Sequence, residues 1–244
     1  MPETPDGCKG LNTATPAADK PGMCARYTIR APADLLAARF GLPAVPDLRP
    51  RFNVSPTQAV PVIGAKPDGR RGLALFKWGF IPHWANDSTG PKPVNAKAET
   101  VAQSVMFGDS LRKRRCLVPA DGFYEWKVVN KRKLPVWFHL KNRQPFGFAG
   151  IWDVWPGPEG KVFTVAILTT TPNDLTRQVH DRMPVILKPD AEVAWLDPTV
   201  DDPDKLMSLV GPYPAELMGM ADANPALNKP SFEGPDCLLS PTAA

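Results

Sequence analysis

The sequence predicts an α+β chain: a mostly antiparallel sheet curled into a barrel, with helices at its periphery and a single domain. Three observations lead there. Thirty of the 244 residues are proline, about twice the usual ~5% share, and proline breaks helices and sheet ladders alike. Apolar, β-prone runs recur at short intervals along the middle of the chain. Two pairs of these runs flank turn-forming residues, as hairpins do.

Residues 1–22 are rich in Pro, Ala, Thr and Gly, with Leu11 as their one large aliphatic residue. Such a segment cannot bury enough surface to offset its ordering entropy, and it reads as a flexible leader. The domain then spans 23–234, and residues 235–244 read as a loose tail. A first strand is expected from Cys24 through Ile29. Pro32 suits a first helical position ahead of Leu35, Leu36 and Phe40, with Gly41 as C-cap. Ala59–Ile63 and Leu73–Trp78 read as strands. Glu99–Arg115 has helical character and ends in the basic run Arg112, Lys113, Arg114, Arg115. Phe123–Val129 and Pro135–Leu140 form a hairpin around Asn130–Lys133, and Phe146–Val154 and Val162–Thr169 form another around Pro156–Gly160. Pro189–Trp195 and Pro203–Val210 are short helices opened by proline.

The formal charge of +4 is unevenly spread. Residues 1–23 carry −1. From Asp190 onward ten acids oppose only Lys205 and Lys229, which leaves +13 on the middle. A basic body of this kind either meets a polyanion or is a solvated face beneath an acidic tail. The cysteines Cys8, Cys24, Cys116 and Cys237 are scattered without a CxxC pair, and the three histidines give no ligand spacing, so no metal site is expected. No glycine loop of the phosphate-cradling type appears, and no cofactor is implied. No apolar stretch is long enough to cross a bilayer as a helix. Without a secretory signal, the chain is expected in the cytosol, associated with the nucleoid, with its thiols reduced.

Five segments carry more polar and aromatic detail than packing requires. They are Met23-Cys24-Ala25-Arg26-Tyr27, Trp78-Gly79-Phe80-Ile81-Pro82-His83-Trp84, Pro91 through Thr100, Pro119 through Trp126, and His180-Asp181-Arg182-Met183-Pro184-Val185. In this order the set closely resembles the SOS-response-associated peptidase (SRAP) family, whose members crosslink to abasic sites in single-stranded DNA. The resemblance runs from Met23 to about Trp195.

Cys24 follows a methionine. If Met23 were the initiator, its removal would leave Cys24 with an α-amine and a thiol on adjacent carbons. The amine, with a pKa of about 7.7–8.0, is partly neutral at physiological pH. It can attack the aldehyde of an opened abasic sugar, and the thiol can close a thiazolidine ring on the imine. The resemblance implies this linkage. In the full chain, however, the Cys24 nitrogen lies in an amide and is not a nucleophile, so residues 1–23 must be absent or removed.

Glu125 sits among aromatic residues that would strip its solvation and suit it to proton transfer. His180 is a candidate general acid. By resemblance, Asn95 orients the amine or the sugar. Cys24, Asn95, Glu125 and His180 form the expected catalytic set.

For DNA contact, Arg26 and Arg182 are expected on phosphates. Lys97 stands where the family often has arginine, keeping the charge without the bidentate fork. Arg112 and Arg115 belong either to a phosphate track or to a solvated helix end. Trp78, Phe80, Pro82 and Trp84 divide between core packing and stacking or wedging at a base. Asn53 and Pro56 match a family segment lining the site. The expected partner is single-stranded DNA, or a single-strand/duplex junction, containing an abasic site and met by a monomer without membrane or metal. The competing readings are a cysteine peptidase acting on its own leader through Cys24, His180 and Glu125, and a non-catalytic nucleic-acid-binding module.

Overall fold

The computed structural model describes residues 25–46, 48–66 and 68–240. Its order is β1 (Tyr27–Ile29), α1 (Ala33–Phe40), β2 (Arg51–Val54), β3 (Ala59–Ala65), β4 (Arg71–Trp78), β5 (Asn95–Lys97), α2 (Ala98–Val101), α3 (Gly108–Lys113), β6 (Arg115–Ala120), β7 (Gly122–Val129), β8 (Arg132–Leu140), β9 (Phe146–Gly157) and β10 (Gly160–Thr170). There follow β11 (Met183–Pro184), β12 (Ile186–Leu187), α4 (Pro189–Leu196), α5 (Pro203–Ser208) and β13 (Met218–Asp222). Short 3₁₀ turns cover Thr176–Gln178, Ala215–Leu217, Pro225–Asn228 and Pro235–Leu238.

Both expected hairpins form. Asn130 and Lys131 take φ of 48° and 64° between β7 and β8, the left-handed pair a two-residue turn needs to match strand twist. Gly160, at φ 123°, closes the β9–β10 turn opposite Gly157. Strands β10, β4, β3, β6 and β9 pair in that order, and the β9–β10 ladder joins the ends into a closed barrel. The ladders of β10 with β4 and β5 are parallel, whereas the other pairings are antiparallel. A second sheet, in the order β13-β8-β7-β1-β2, lies against the barrel. The fold is therefore the α+β, barrel-containing architecture read from the sequence.

Strand alternation sorts the second sheet's side chains. Phe123 stacks on Phe138 at 5.1 Å and meets Phe148 of the barrel edge-on, while Tyr27 packs against Trp78 and Phe148. These rings belong to the main core. Tyr124, one residue on, faces the other way into a smaller cluster with Trp137, Ala223, Leu227 and Cys237.

Four expectations change. The strand begins at Tyr27 rather than Cys24, which lies outside the described residues. Pro32 is the N-cap of α1 instead of its first residue, while Gly41 caps it as expected at φ 63°. The segment Glu99–Arg115 holds two short helices, and its last residue opens β6. The tail is docked through residue 238: Cys237 is buried, and its carbonyl accepts from Asn224 N–H at 3.1 Å. A thiol that fits beneath Tyr124 anchors a stretch whose composition alone reads as loose.

Candidate functional site

The site begins where β1 runs along β7. Asp121, buried at the turn into β7, accepts from Thr28 Oγ1 at 2.5 Å, Arg30 N–H at 2.6 Å, Arg30 Nε at 3.0 Å and Ala31 N–H at 3.1 Å. One carboxylate thus ties β1 to the start of β7. Gly122 is required beside it, because a Cβ there would stand 2.1 Å from the Trp137 indole nitrogen. Tyr27 pairs with Phe123 and Thr28 with Gly122, and Tyr124 N–H donates to Arg26 O at 3.0 Å. Carried one step further, this register sets Ala25 opposite Glu125. Glu125 shares the face of Phe123 and is 2% exposed, so its carboxyl lies on the main-core side. A carboxylate there is poorly solvated and suited to holding or passing a proton. Cys24 itself lies outside the described residues.

The second wall is the rim of the barrel. Asn95, Ala96 and Lys97 of β5 pair in parallel with Ile167, Leu168 and Thr169 of β10, whose other edge carries β11. Arg182, just ahead of β11, grips Glu99 with two bonds of 2.7 Å and donates to Thr169 O at 2.8 Å. The guanidinium fork holds the Glu99 carboxyl below its ordinary pKa. His180 precedes this pair and is a quarter exposed. Its Nδ1 accepts from Arg182 N–H at 3.1 Å, which leaves the neutral ring's proton on Nε2, the nitrogen turned from the backbone. Asp181 Oδ1 stands 3.2 Å from Nδ1.

The two walls meet through Tyr27. Its ring lies 5.4 Å from Trp78, whose indole N–H donates to Val94 O at 2.9 Å, immediately before Asn95. The fold therefore connects β1, which pairs with the strand carrying Glu125, to the residue before Asn95, and Arg182 ties the segment carrying His180 to Glu99 just after β5.

The expected DNA contacts divide. Lys97 is exposed on the rim, Arg112 is exposed on α3, and Trp84 is 52% exposed. Trp78 and Phe80 are fully buried and Pro82 is buried with them, so these rings serve the core and offer no face to a base. Arg115 leaves the set as well. It is buried, and its guanidinium donates to the carbonyls of Leu111, Arg112, Trp195 and Asp197 at 2.5–2.9 Å. It satisfies the C-terminal ends of α3 and α4, where a cation is favoured. Arg26 is half-buried and donates to Asn53 Oδ1 and Leu227 O, each at 2.7 Å. Asn53 is buried and uses its amide nitrogen on the carbonyls of Leu227, Lys229 and Phe232, so it organises the segment covering the second sheet. Pro56 is partly buried in the turn after β2.

Sequence reasoning passed over Asp121, Glu99 and Thr169. The first two stand inside segments already singled out, and an acid within a basic surface was the available signal. Thr169 had none, because only its pairing with Lys97 and Pro184 brings it to the rim. Among the described residues no group of His, Cys, Asp and Glu is arranged to hold a metal, and no helix is long and apolar enough to cross a membrane.

Residues 23–230 match the family described as SOS response associated peptidase (SRAP). The abasic site processing protein YoqW of Bacillus subtilis (strain 168) is 39% identical over 224 residues, which cover 89% of this chain and 100% of the relative. The abasic site processing protein HMCES of Xenopus tropicalis is 27% identical over 79% of this chain and 66% of its own length. A crystal structure of a Bacteroides thetaiotaomicron protein superposes with a TM-score of 0.80 at 28% identity, covering 89% of this chain and 100% of that one. The chain belongs to the SRAP family.

Proposed function

We propose that this protein captures abasic sites in single-stranded DNA as a covalent thiazolidine through Cys24, in a form of the chain that begins at that residue. The observation that carries the reading is the β1–β7 register, which leads the backbone ahead of Tyr27 toward the buried carboxyl of Glu125. Two further facts support it. The family match opens at Met23, and relatives of similar sequence are abasic site processing proteins. The two described cysteines are also poor nucleophiles: Cys116 and Cys237 are buried, and burial pushes both thiols up, Cys237 to about 11. A thiolate is the reactive form, so neither competes.

The chemistry balances without a cofactor. The Cys24 amine adds to the aldehyde carbon of the opened sugar, and the carbinolamine loses water to give an imine. The sulfur then adds to the imine carbon, and the thiol proton ends on the ring nitrogen. Glu125 receives and returns protons at the amine, and His180 supplies one to the departing or sugar oxygen through Nε2. Asn95 orients the sugar at the rim. Closing the ring removes the imine, and with it the route to β-elimination and strand scission. Lys97, Arg112 and Trp84, all exposed, are the side chains proposed to meet the strand, whereas Arg26 and Arg182 are partly buried and already hold Asn53, Leu227, Glu99 and Thr169.

The test compares protein beginning at Cys24 with the full 244-residue chain, each incubated with abasic single-stranded DNA and run on a denaturing gel. A shifted band is expected for the first only, and Cys24→Ala abolishes it. Glu125→Gln or His180→Ala slows formation or reversal while leaving DNA binding in place. A full-length chain that crosslinks at full rate with its leader retained overturns the reading.

A further inference from the structure

One face of the barrel carries a recess away from the site above. Across β3 and β4, Val62 pairs with Ala74 and Gly64 with Gly72, so three of four neighbouring side chains are only a methyl or a hydrogen. A Cβ added at Gly64 would meet nothing within 4 Å. Phe76, Trp152 and Leu196 flank the gap, and with these residues they line a cavity of about 480 Å³. Its rings brace one another: Trp152 meets Phe76 edge-on at 5.4 Å, and Phe163 lies 5.2 Å from Phe76. Arg115 forms part of the wall. Its donors are engaged by carbonyls, so no carboxylate is bonded to its charge, and Asp197 and Asp201 act on it through space. Lys66 and Lys113 line the cavity as well and are exposed. The Lys66 stem lies across Gly72, where a Cβ would come within 2.6 Å of its Cε. Lys113 pairs with Asp109 one turn back at 2.9 Å, an exposed bond that is easily exchanged. Nearby Asp68 is held by Arg70 at 2.7 Å. Among the described residues the charged groups lining the cavity are thus all basic.

We infer that this recess binds a small amphipathic anion, with a flat aromatic or short aliphatic body over Ala74 and against Phe76 and Trp152, and one carboxylate met by Lys66 and Lys113. The volume falls within the roughly 300–1,000 Å³ of small-molecule sites, and mostly apolar walls with a few polar groups are their usual lining. A concave apolar surface with rings on its flank suits a molecule that enters it better than the flat face of a protein. The basic edge selects the charge: an anionic group gains charge-assisted bonds from two ammonium groups, whereas a cation would meet three like charges. None of the expected catalytic residues lines the cavity, and of the expected DNA contacts only Arg115, which the core has claimed, lies in its wall. The site therefore stands apart from abasic-site capture.

The experiment titrates the full chain with anilinonaphthalene sulfonate, a fluorescent aromatic anion, and then displaces the dye with naphthoate or with its neutral isostere naphthamide. Naphthoate is expected to displace the dye at a concentration about tenfold below that of naphthamide, the gain of a charge-assisted contact. Ala74→Trp fills the recess and weakens all three ligands by about tenfold or more. Lys66→Glu weakens naphthoate by about fivefold, the scale of an exposed ion pair, and leaves naphthamide unchanged, while Lys66→Arg restores the preference. Ala74 and Lys66 are exposed, and unchanged melting midpoints confirm that the variants fold. Absence of dye binding overturns the inference, as does dye binding that neither Ala74→Trp nor Lys66→Glu alters, or equal displacement by acid and amide. Displacement only by an acidic peptide bearing an aromatic residue assigns the recess to a protein partner, and a dimer dissociated by the dye assigns it to a second copy; either overturns the small-molecule reading. Crosslinking to abasic DNA is expected to be the same in all three variants, so its loss or survival in unmodified protein tests the proposed function separately.

Discussion

Two stretches of this chain, Trp78–Trp84 and Arg112–Arg115, carry the rings and cations that composition singles out, and each is divided by the fold in the same way. In the first, Trp78 and Phe80 lie in the core while Trp84 stands in solvent. In the second, Arg112 is exposed while Arg115, three residues on, is buried among the carbonyls that end two helices. Within each stretch one residue holds the protein together and another is left to meet something else. Side-chain chemistry is shared between the two roles; what separates them is burial.

That difference can be broken by paired substitutions. The largest effect is expected at Trp78, where replacement by Ala removes a fully buried ring and its bond to Val94 and lowers unfolding stability by about 3–5 kcal/mol. Trp84→Ala changes stability by less than about 0.5 kcal/mol and weakens single-strand binding by about 1–3 kcal/mol. Denaturant melts and oligonucleotide titrations on the two variants would show opposite rankings. Arg115→Met strips the cap from α3 and α4 and leaves buried carbonyls without donors, for a loss of about 3 kcal/mol. Arg112→Ala leaves the melting midpoint in place and reduces the salt dependence of DNA binding.

Thiol reactivity sharpens the comparison between the described core and the nucleophile proposed ahead of it. In native protein beginning at Cys24, a thiol reagent at pH 8 is expected to modify Cys24 rapidly. Cys116 and Cys237 should be modified only on unfolding, because both are buried with raised pKa values. Peptide mapping after brief labelling checks this. The smallest effect is expected at the rim. Arg182 holds the Glu99 carboxyl below its ordinary pKa near 4.5, so the stability this pair contributes is complete above that value. It is lost as pH falls through the depressed folded-state pKa. Glu99 is partly exposed, and the contribution is under about 1 kcal/mol. Urea midpoints of Glu99→Gln and the unmodified protein should differ at pH 7 and converge once the pH lies below the depressed pKa of Glu99.

How much of this was legible in the chain depends on how far apart the partners are. The two hairpins were readable because their turns are local: Asn130 and Gly160 favour the positive φ that the turns require. The motif residues were readable as a set, and two of their segments do meet, where Arg182 grips Glu99. The docking of Cys237 was not readable. It depends on Tyr124 facing outward from a sheet whose sides are assigned by strand register, more than a hundred residues earlier. The Asp153 contact to His83 spans 70 positions, and Arg115 reaches Trp195 across 80.

By itself, then, the order of residues determined the α+β class, the two hairpins with their turns and the chemistry on offer, because backbone preference and side-chain reactivity are properties of neighbours along the chain. Closure of the barrel by β9 and β10 was decided only in three dimensions. So were the faces of Trp78 and Trp84, the capture of Arg115 by helix ends, and the pairing of β1 with β7. Each depends on which distant groups come to share one buried space, and burial, unlike propensity, is set by the whole chain at once.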